Sequence, residues 1–177
     1  MNSESDEPSN ESLHVISVRK ANAQDIKPIV RLFEIAIEEM ESHRGGKQLI
    51  NDLSGFAGIN LLVHAGRWKV VTEAIAQPTP TFWLAQQDSS PCGFSWGRVA
   101  QHCDFGPLLG VVDFLYVVSD ARRQRVGEAL IDEMKSYFKS QGCNAMDANA
   151  LPGDRFSKGF FEEAGFKARL LVMNTSI

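Results

Sequence analysis

The sequence predicts one mixed α/β domain built around an antiparallel hairpin followed by a β-α-β crossover. Three observations carry that expectation. The chain has 177 residues, 44% of them hydrophobic and 23% charged, enough for one sizeable core. Apolar residues recur at helical spacing in some stretches and alternate or run together in others. Finally, the stretch "VVDFLYVVSDARRQRVGEALIDEM" passes from an apolar strand through a basic turn directly into a helix.

Taken in order, the elements read β, α, α, β, β, β, α, β, α, β. "LHVISVRKA" alternates apolar and polar residues, as a strand does. Asn22 followed by Asp25 gives a capping-type start to a helix whose buried face is Ile26, Ile29, Val30, Phe33, Ile37 and Met40. Residues 43–77 read as one or two helices interrupted by Gly55, Gly58 and Gly66. "TFWLAQQ", a turn over residues 88–91 and "CGFSWGRVA" form a hairpin. "QHCDFGPLLG" reads as a loop, "VVDFLYVV" as a longer strand and "GEALIDEMKSYFKSQG" as a helix stopped at Gly142. "CNAMDANA" is a strand, "LPGD" a turn, "RFSKGFFEEAG" a short helix and "FKARLLVMN" a last strand.

Composition narrows the function classes. A net charge of −4 argues against a general polyanion-binding surface, so no nucleic-acid partner is expected. No apolar run is long enough to span a membrane. Residues 1–12, "MNSESDEPSNES", lack the apolar core of a signal peptide and read as a disordered acidic tail ahead of a domain over residues 13–177. Cys92, Cys103 and Cys143 form no CxxC pair, which suits a reducing, cytoplasmic setting. His102, Cys103 and Asp104 are metal-friendly types, but adjacent residues cannot all face one ion, and no metal site is expected.

The junction at residues 119–128 is the informative part. A helix N-terminus arriving straight off a strand leaves backbone N–H groups unpaired and carries partial positive charge, a natural seat for phosphate. Gly127 removes a Cβ from the approach, and Arg122, Arg123 and Arg125 supply fixed charge and paired donors. A plain charged surface turn explains the same residues. The turn is neither a Walker-A loop, lacking GK[ST], nor a GxGxxG loop, having one glycine.

"FLYVVSDARRQRVGEALI" resembles motif A of the GNAT acetyltransferase superfamily, Q/R-x-x-G-x-G/A, with Arg122 in the first position, Arg125 at the first glycine and Gly127 at the last. "GDRFSKGFFEEAGFKAR" resembles motif B. The resemblance extends over residues 13–174 and includes the order of elements. It implies a GNAT-like, mostly antiparallel sheet whose central parallel strands splay apart, flanked by helices. It also implies acetyl-CoA as co-substrate. Backbone groups of Leu115, Tyr116 and Val117 would bond the pantetheine arm, and the amides of Arg123, Gln124, Arg125, Val126, Gly127 and Glu128 would hold the pyrophosphate, aided by the side chains of Arg122, Arg123 and Arg125. Asp154 stands where the family often has a cofactor-contacting asparagine, and Phe161 where a tyrosine often protonates the departing thiolate.

Acetyl transfer to an amine needs a proton acceptor. Asp113, a lone acid in an apolar run, is the first candidate, since burial would raise its pKa; pairing with an arginine or a solvated position is the plainer reading. Asp147, on an adjacent strand, is the second. His64 is a candidate to line an acceptor pocket and Trp83, Phe94 or Trp96 to floor it, although core positions suit the aromatics equally. The expected activity is direct acetyl transfer to a primary amine of a small molecule or protein. The rivals are a non-catalytic acyl-CoA-binding regulatory module and an unrelated α/β domain binding another phosphate ligand. The resemblance also leaves room for a homodimer.

Overall fold

The computed structural model describes residues 15–42, 81–101, 106–150 and 154–169. The expected tail, the helices over 43–77, His64, and the trio His102, Cys103 and Asp104 lie outside the described residues. Strands β1 (Ile16–Lys20), β2 (Thr81–Gln87), β3 (Ser90–Gln101), β4 (Leu108–Val117) and β5 (Met146–Ala148) form one sheet in that order. The first four pair antiparallel, and β5 joins β4 in parallel. Helices α1 (Ile26–Ser42), α2 (Val126–Ser140) and α3 (Arg155–Glu163) flank it.

The helices form where their ends are specified. Before α1, Asn22 accepts from the Gln24 amide while the Asp25 carboxylate accepts from the Asn22 amide, 2.8 Å away, closing a capping box. Arg19 grips the same carboxylate at 2.6 and 2.7 Å. At the far end of α2, Gly142 takes φ +84°, the left-handed conformation that glycine adopts without steric penalty.

The β2–β3 turn is two residues long. Asp88 and Ser89 both have positive φ, as a type I′ hairpin requires. Strand β3 therefore resumes at Ser90, earlier than the expected turn over residues 88–91 allows. Pro91 is accommodated because Cys92 bulges out of register there. Strand β4 begins at Leu108 inside the expected loop, since Leu108–Gly110 already pair with β3. The expected last strand does not form over residues 166–169, and its remainder lies outside the described residues.

Two apolar layers hold the helices on opposite faces of the sheet. On one, Ile29, Phe33 and Ile37 of α1 meet Phe82, Phe94, Trp96 and Tyr116. On the other, Leu130, Ile131, Met134 and Phe138 of α2 meet Trp83, Val112 and Val117. Helix α2 approaches closely because Gly110 carries no side chain; a Cβ there would lie 2.4 Å from the Phe138 ring. Trp83, Phe94 and Trp96 are all buried in these layers, the core positions that the sequence also allowed for them.

Candidate active site

The site begins where the sheet stops pairing. Strand β5 accompanies β4 only at Gly110, Val111 and Val112, after which β4 continues five residues to Val117 with no described partner on that edge. Backbone groups alternate between the two edges of a strand. The Gly110 amide bonds Ala145 on the β5 side, whereas the Val118 amide bonds Cys92 on the β3 side. The phase changes because Asp113 is an extra residue in β4: Trp96 pairs with Phe114, and Gly97 with Val112. Leu115 and Val117 therefore turn their peptide groups to the open edge, while those of Tyr116 face β3.

That edge runs into the basic turn. Arg123 and Arg125 both sit in the left-handed region, at φ 61° and 67°. This accounts for the glycine usual at the Arg125 position, because a side chain there costs roughly 1 kcal/mol. A left-handed residue leading into a right-handed helix aims consecutive N–H groups into one concavity, which favours an anion. Helix α2 starts at this point with no side-chain cap, and its first intrahelical bond runs from the Ala129 amide to the Arg125 carbonyl. The amides of Val126, Gly127 and Glu128 are thus left without a helical partner.

The arginines divide in role. Arg122 Nη2 meets Glu39 Oε2 at 2.6 Å, its Nε donates to the Val117 carbonyl at 2.9 Å, and its guanidinium lies over the Tyr116 ring. The hydrogen bond to Glu39 raises the Arg122 pKa further. The Arg122 side chain thus ties the turn to α1. Tyr116 donates to the same carboxylate, and burial together with that bond pushes its hydroxyl pKa up to about 12. Arg125 is 82% exposed beside Glu128, and Arg123 is exposed as well. Glu39 was invisible to sequence reasoning, since nothing local marks a partner 83 residues away.

Gly127 has a packing role that its position in the turn does not suggest. A Cβ on it would meet the Phe160 ring at 2.9 Å, so the missing side chain makes room for α3. Its amide remains among the open donors. Asp154 caps α3 by accepting from the amides of Phe156 and Ser157 at 3.1 and 3.0 Å, and from the Ser157 hydroxyl. An aspartate directly before a helix is a capping signal that the sequence did carry. Phe161 packs with Phe160 and Phe166 and has no proton to offer.

Of the two candidate bases, Asp113 stands one residue beyond the last β4–β5 pair. Its carboxyl group is 13% exposed and meets Arg98 Nε at 3.2 Å. Burial raises its pKa to about 6 against the opposing pull of Arg98. Asp147 lies opposite Val111 on β5 and is held by Arg169 through two guanidinium nitrogens. Among the described residues, no three His, Cys, Asp or Glu side chains gather as metal ligands, and no helix is long and apolar enough to cross a membrane.

The comparisons with known proteins agree with this architecture. The model of the Acetyltransferase (GNAT) family matches residues 62–166, more than half of the chain, and the chain belongs to that family. Among solved structures, it is similar to an aminoglycoside acetyltransferase from an uncultured soil metagenomic sample, solved with trehalose. That match has 13% identity and a TM-score of 0.67, covering 92% of this chain and 96% of the other. It is also similar to the aminoglycoside acetyltransferase AAC(6')-Iy bound to a CoA bisubstrate analogue, at 14% identity and TM-score 0.67 over 92% and 99% of the two chains. A ribosomal-protein-alanine N-acetyltransferase from Brucella melitensis biovar Abortus 2308 matches at 13% identity and TM-score 0.67, over 92% and 99%. At these identities the likeness is one of fold. No curated protein matches in sequence.

Proposed function

We propose that the protein is an acetyl-CoA-dependent N-acetyltransferase that moves an acetyl group directly to a primary amine of a small molecule or a protein. One observation carries the reading: β4 loses its parallel partner after Val112 and then leads, along an open edge, into a helix N-terminus that no side chain caps. The open edge suits a chain of amides, and the uncapped terminus suits a diphosphate. Acetyl-CoA joins those two features in one molecule, and its thioester supplies the acetyl group. The CoA-containing complexes of AAC(6')-Iy support the same assignment.

In this reading Leu115 and the Val117 amide pair with the pantetheine arm, the Val117 carbonyl being held by Arg122, with Tyr116 holding the strand from the β3 side. The amides of Val126, Gly127 and Glu128, continuing from Arg123, Gln124 and Arg125, receive the pyrophosphate. Asp113 is the general base: its carboxylate takes a proton from the acceptor ammonium, and the freed amine nitrogen bonds the acetyl carbon. The carbon–sulfur bond breaks with its electron pair leaving on sulfur, and the proton that the nitrogen sheds on becoming an amide passes to solvent. Phe161 cannot protonate the sulfur, so that proton comes from solvent. Asp147, committed to Arg169, shapes the sheet end. A cytoplasmic setting, a homodimer and a domain spanning residues 13–177 belong to the same proposal. The lack of a proton donor at Phe161 favours one alternative, a non-catalytic acyl-CoA-binding module.

The test is thiol release from acetyl-CoA over a panel of amines, including aminoglycosides and peptide N-termini, for wild type and Asp113→Asn. With a base that works when ionised, kcat/KM rises with pH through a midpoint near 6, and the variant loses about 100-fold or more. Stability moves the other way. An acid whose folded pKa is raised weakens the fold most above that pKa, and the penalty fades as pH falls from the folded value near 6 to the unfolded value near 4, below which it is gone. Asp113→Asn is therefore at least as stable as wild type at pH 7. Acetyl-CoA binding with no turnover on any amine would leave the non-catalytic module standing.

A further inference from the structure

The left-handed residues at Arg123 and Arg125 raise the question of what keeps a two-arginine turn in a glycine-favouring shape. Gln124 lies between them, and its side chain is fastened at both ends. Its Nε2 donates to the Asp120 carbonyl at 2.7 Å, and its Oε1 accepts from Gln87 Nε2 at 2.5 Å. Gln87 is the last residue of β2, beside the type I′ turn, and is therefore anchored by the sheet rather than by the loop it touches. The strained turn thus has one tether from its own chain and one from a strand 37 residues away.

We propose that Gln87 is a positioning residue for the pyrophosphate seat, acting through Gln124 to hold the Arg123–Arg125 turn so that the amides opening α2 converge. The inference rests on the proposed cofactor reading and adds a residue that neither the motif nor the cofactor path contains. Gln87 touches no ligand; its role is to make the concavity exist before the ligand arrives. A turn fixed beforehand avoids the ordering cost that a flexible glycine turn would incur on binding. It also explains how a chain lacking the usual glycine can keep this geometry.

The test is a double-mutant cycle with Gln87→Met, Gln124→Met and the double variant, titrated with CoA by calorimetry. Pantetheine, which has no phosphate, serves as a second probe and is followed by NMR shifts. The expected result is a roughly 3- to 10-fold weaker affinity for CoA in Gln87→Met, on the order of one hydrogen bond. Pantetheine affinity stays unchanged, and the double variant is no worse than Gln124→Met alone. Gln87 is at the surface end of a strand, and the melting temperature should fall by no more than about 2 °C. Equal CoA affinity in Gln87→Met and wild type, additive losses, or equal weakening of both probes would overturn the inference while leaving the cofactor reading intact. Failure of folded wild type to bind CoA would overturn both.

Discussion

Two helix N-termini on this molecule meet the same physical problem and solve it oppositely. At α3 the first amides are closed by the chain itself, with Asp154 accepting from Phe156 and Ser157. At α2 no side chain caps the helix, and the residue in the capping position is an arginine in the left-handed region. Both termini carry partial positive charge, but at α3 the chain's own carboxylate already answers it. The start of the α1 segment is closed as well, by the Asn22–Asp25 box. Among the described residues, α2 thus has an uncapped start among capped ones, at the end of a strand edge with no described partner, and the proposed cofactor reading rests on that contrast.

The most drastic way to break this contrast is to seal α2. Arg125→Asp removes a cation and sets a carboxylate at the mouth of the concavity; aspartate tolerates the left-handed region. Calorimetry should show CoA affinity reduced by about 100-fold or more, through charge repulsion and competition for the amides, with little change in melting temperature. Unchanged affinity would mean that the α2 terminus does not hold the phosphates.

Next in size is unsealing the capping box. Asp25 is buried and doubly bonded by Arg19, whose hydrogen bonds are the main cause of its lowered pKa. Asp25→Asn should cost roughly 2 kcal/mol in denaturant unfolding at pH 7. The sign follows from linkage: with the folded pKa depressed, the stabilisation is complete above the unfolded value near 4 and is lost as pH falls through the folded one. The gap between variant and wild type should therefore close in acid. The smallest effect is expected at α3, where Asp154→Ala should cost about 1 kcal/mol and leave CoA affinity unaltered. A large loss of affinity there would return Asp154 to the cofactor site and erase the distinction between the two termini.

Much of this was legible in local sequence. The Asn22–Asp25 spacing, the apolar face of α1, the strand-to-helix junction and the Gly142 stop all depend on residues within a turn or two of one another. What local pattern could not supply was pairing between distant segments. The Glu39 carboxylate that pairs with Arg122 lies 83 residues away along the chain. The Phe160 ring that leaves no room for a side chain on Gly127 comes from 33 residues further along the chain. Asp113 stands out locally as a lone acid, but its placement just beyond the last β4–β5 pair depends on a bulge, and a register shift leaves no mark in alternation. The same shift separates Leu115 and Val117 from Tyr116, three neighbours that the motif alone treats alike.

The most direct test of the central claim is an amide-resolved NMR titration of the wild-type protein with CoA. Saturable shifts are expected at the amides of Val126, Gly127 and Glu128, accompanied by Leu115 and Val117, while those of Phe156 and Ser157 stay in place. Shifts centred on α3, or none at the start of α2 at saturating CoA, would contradict it.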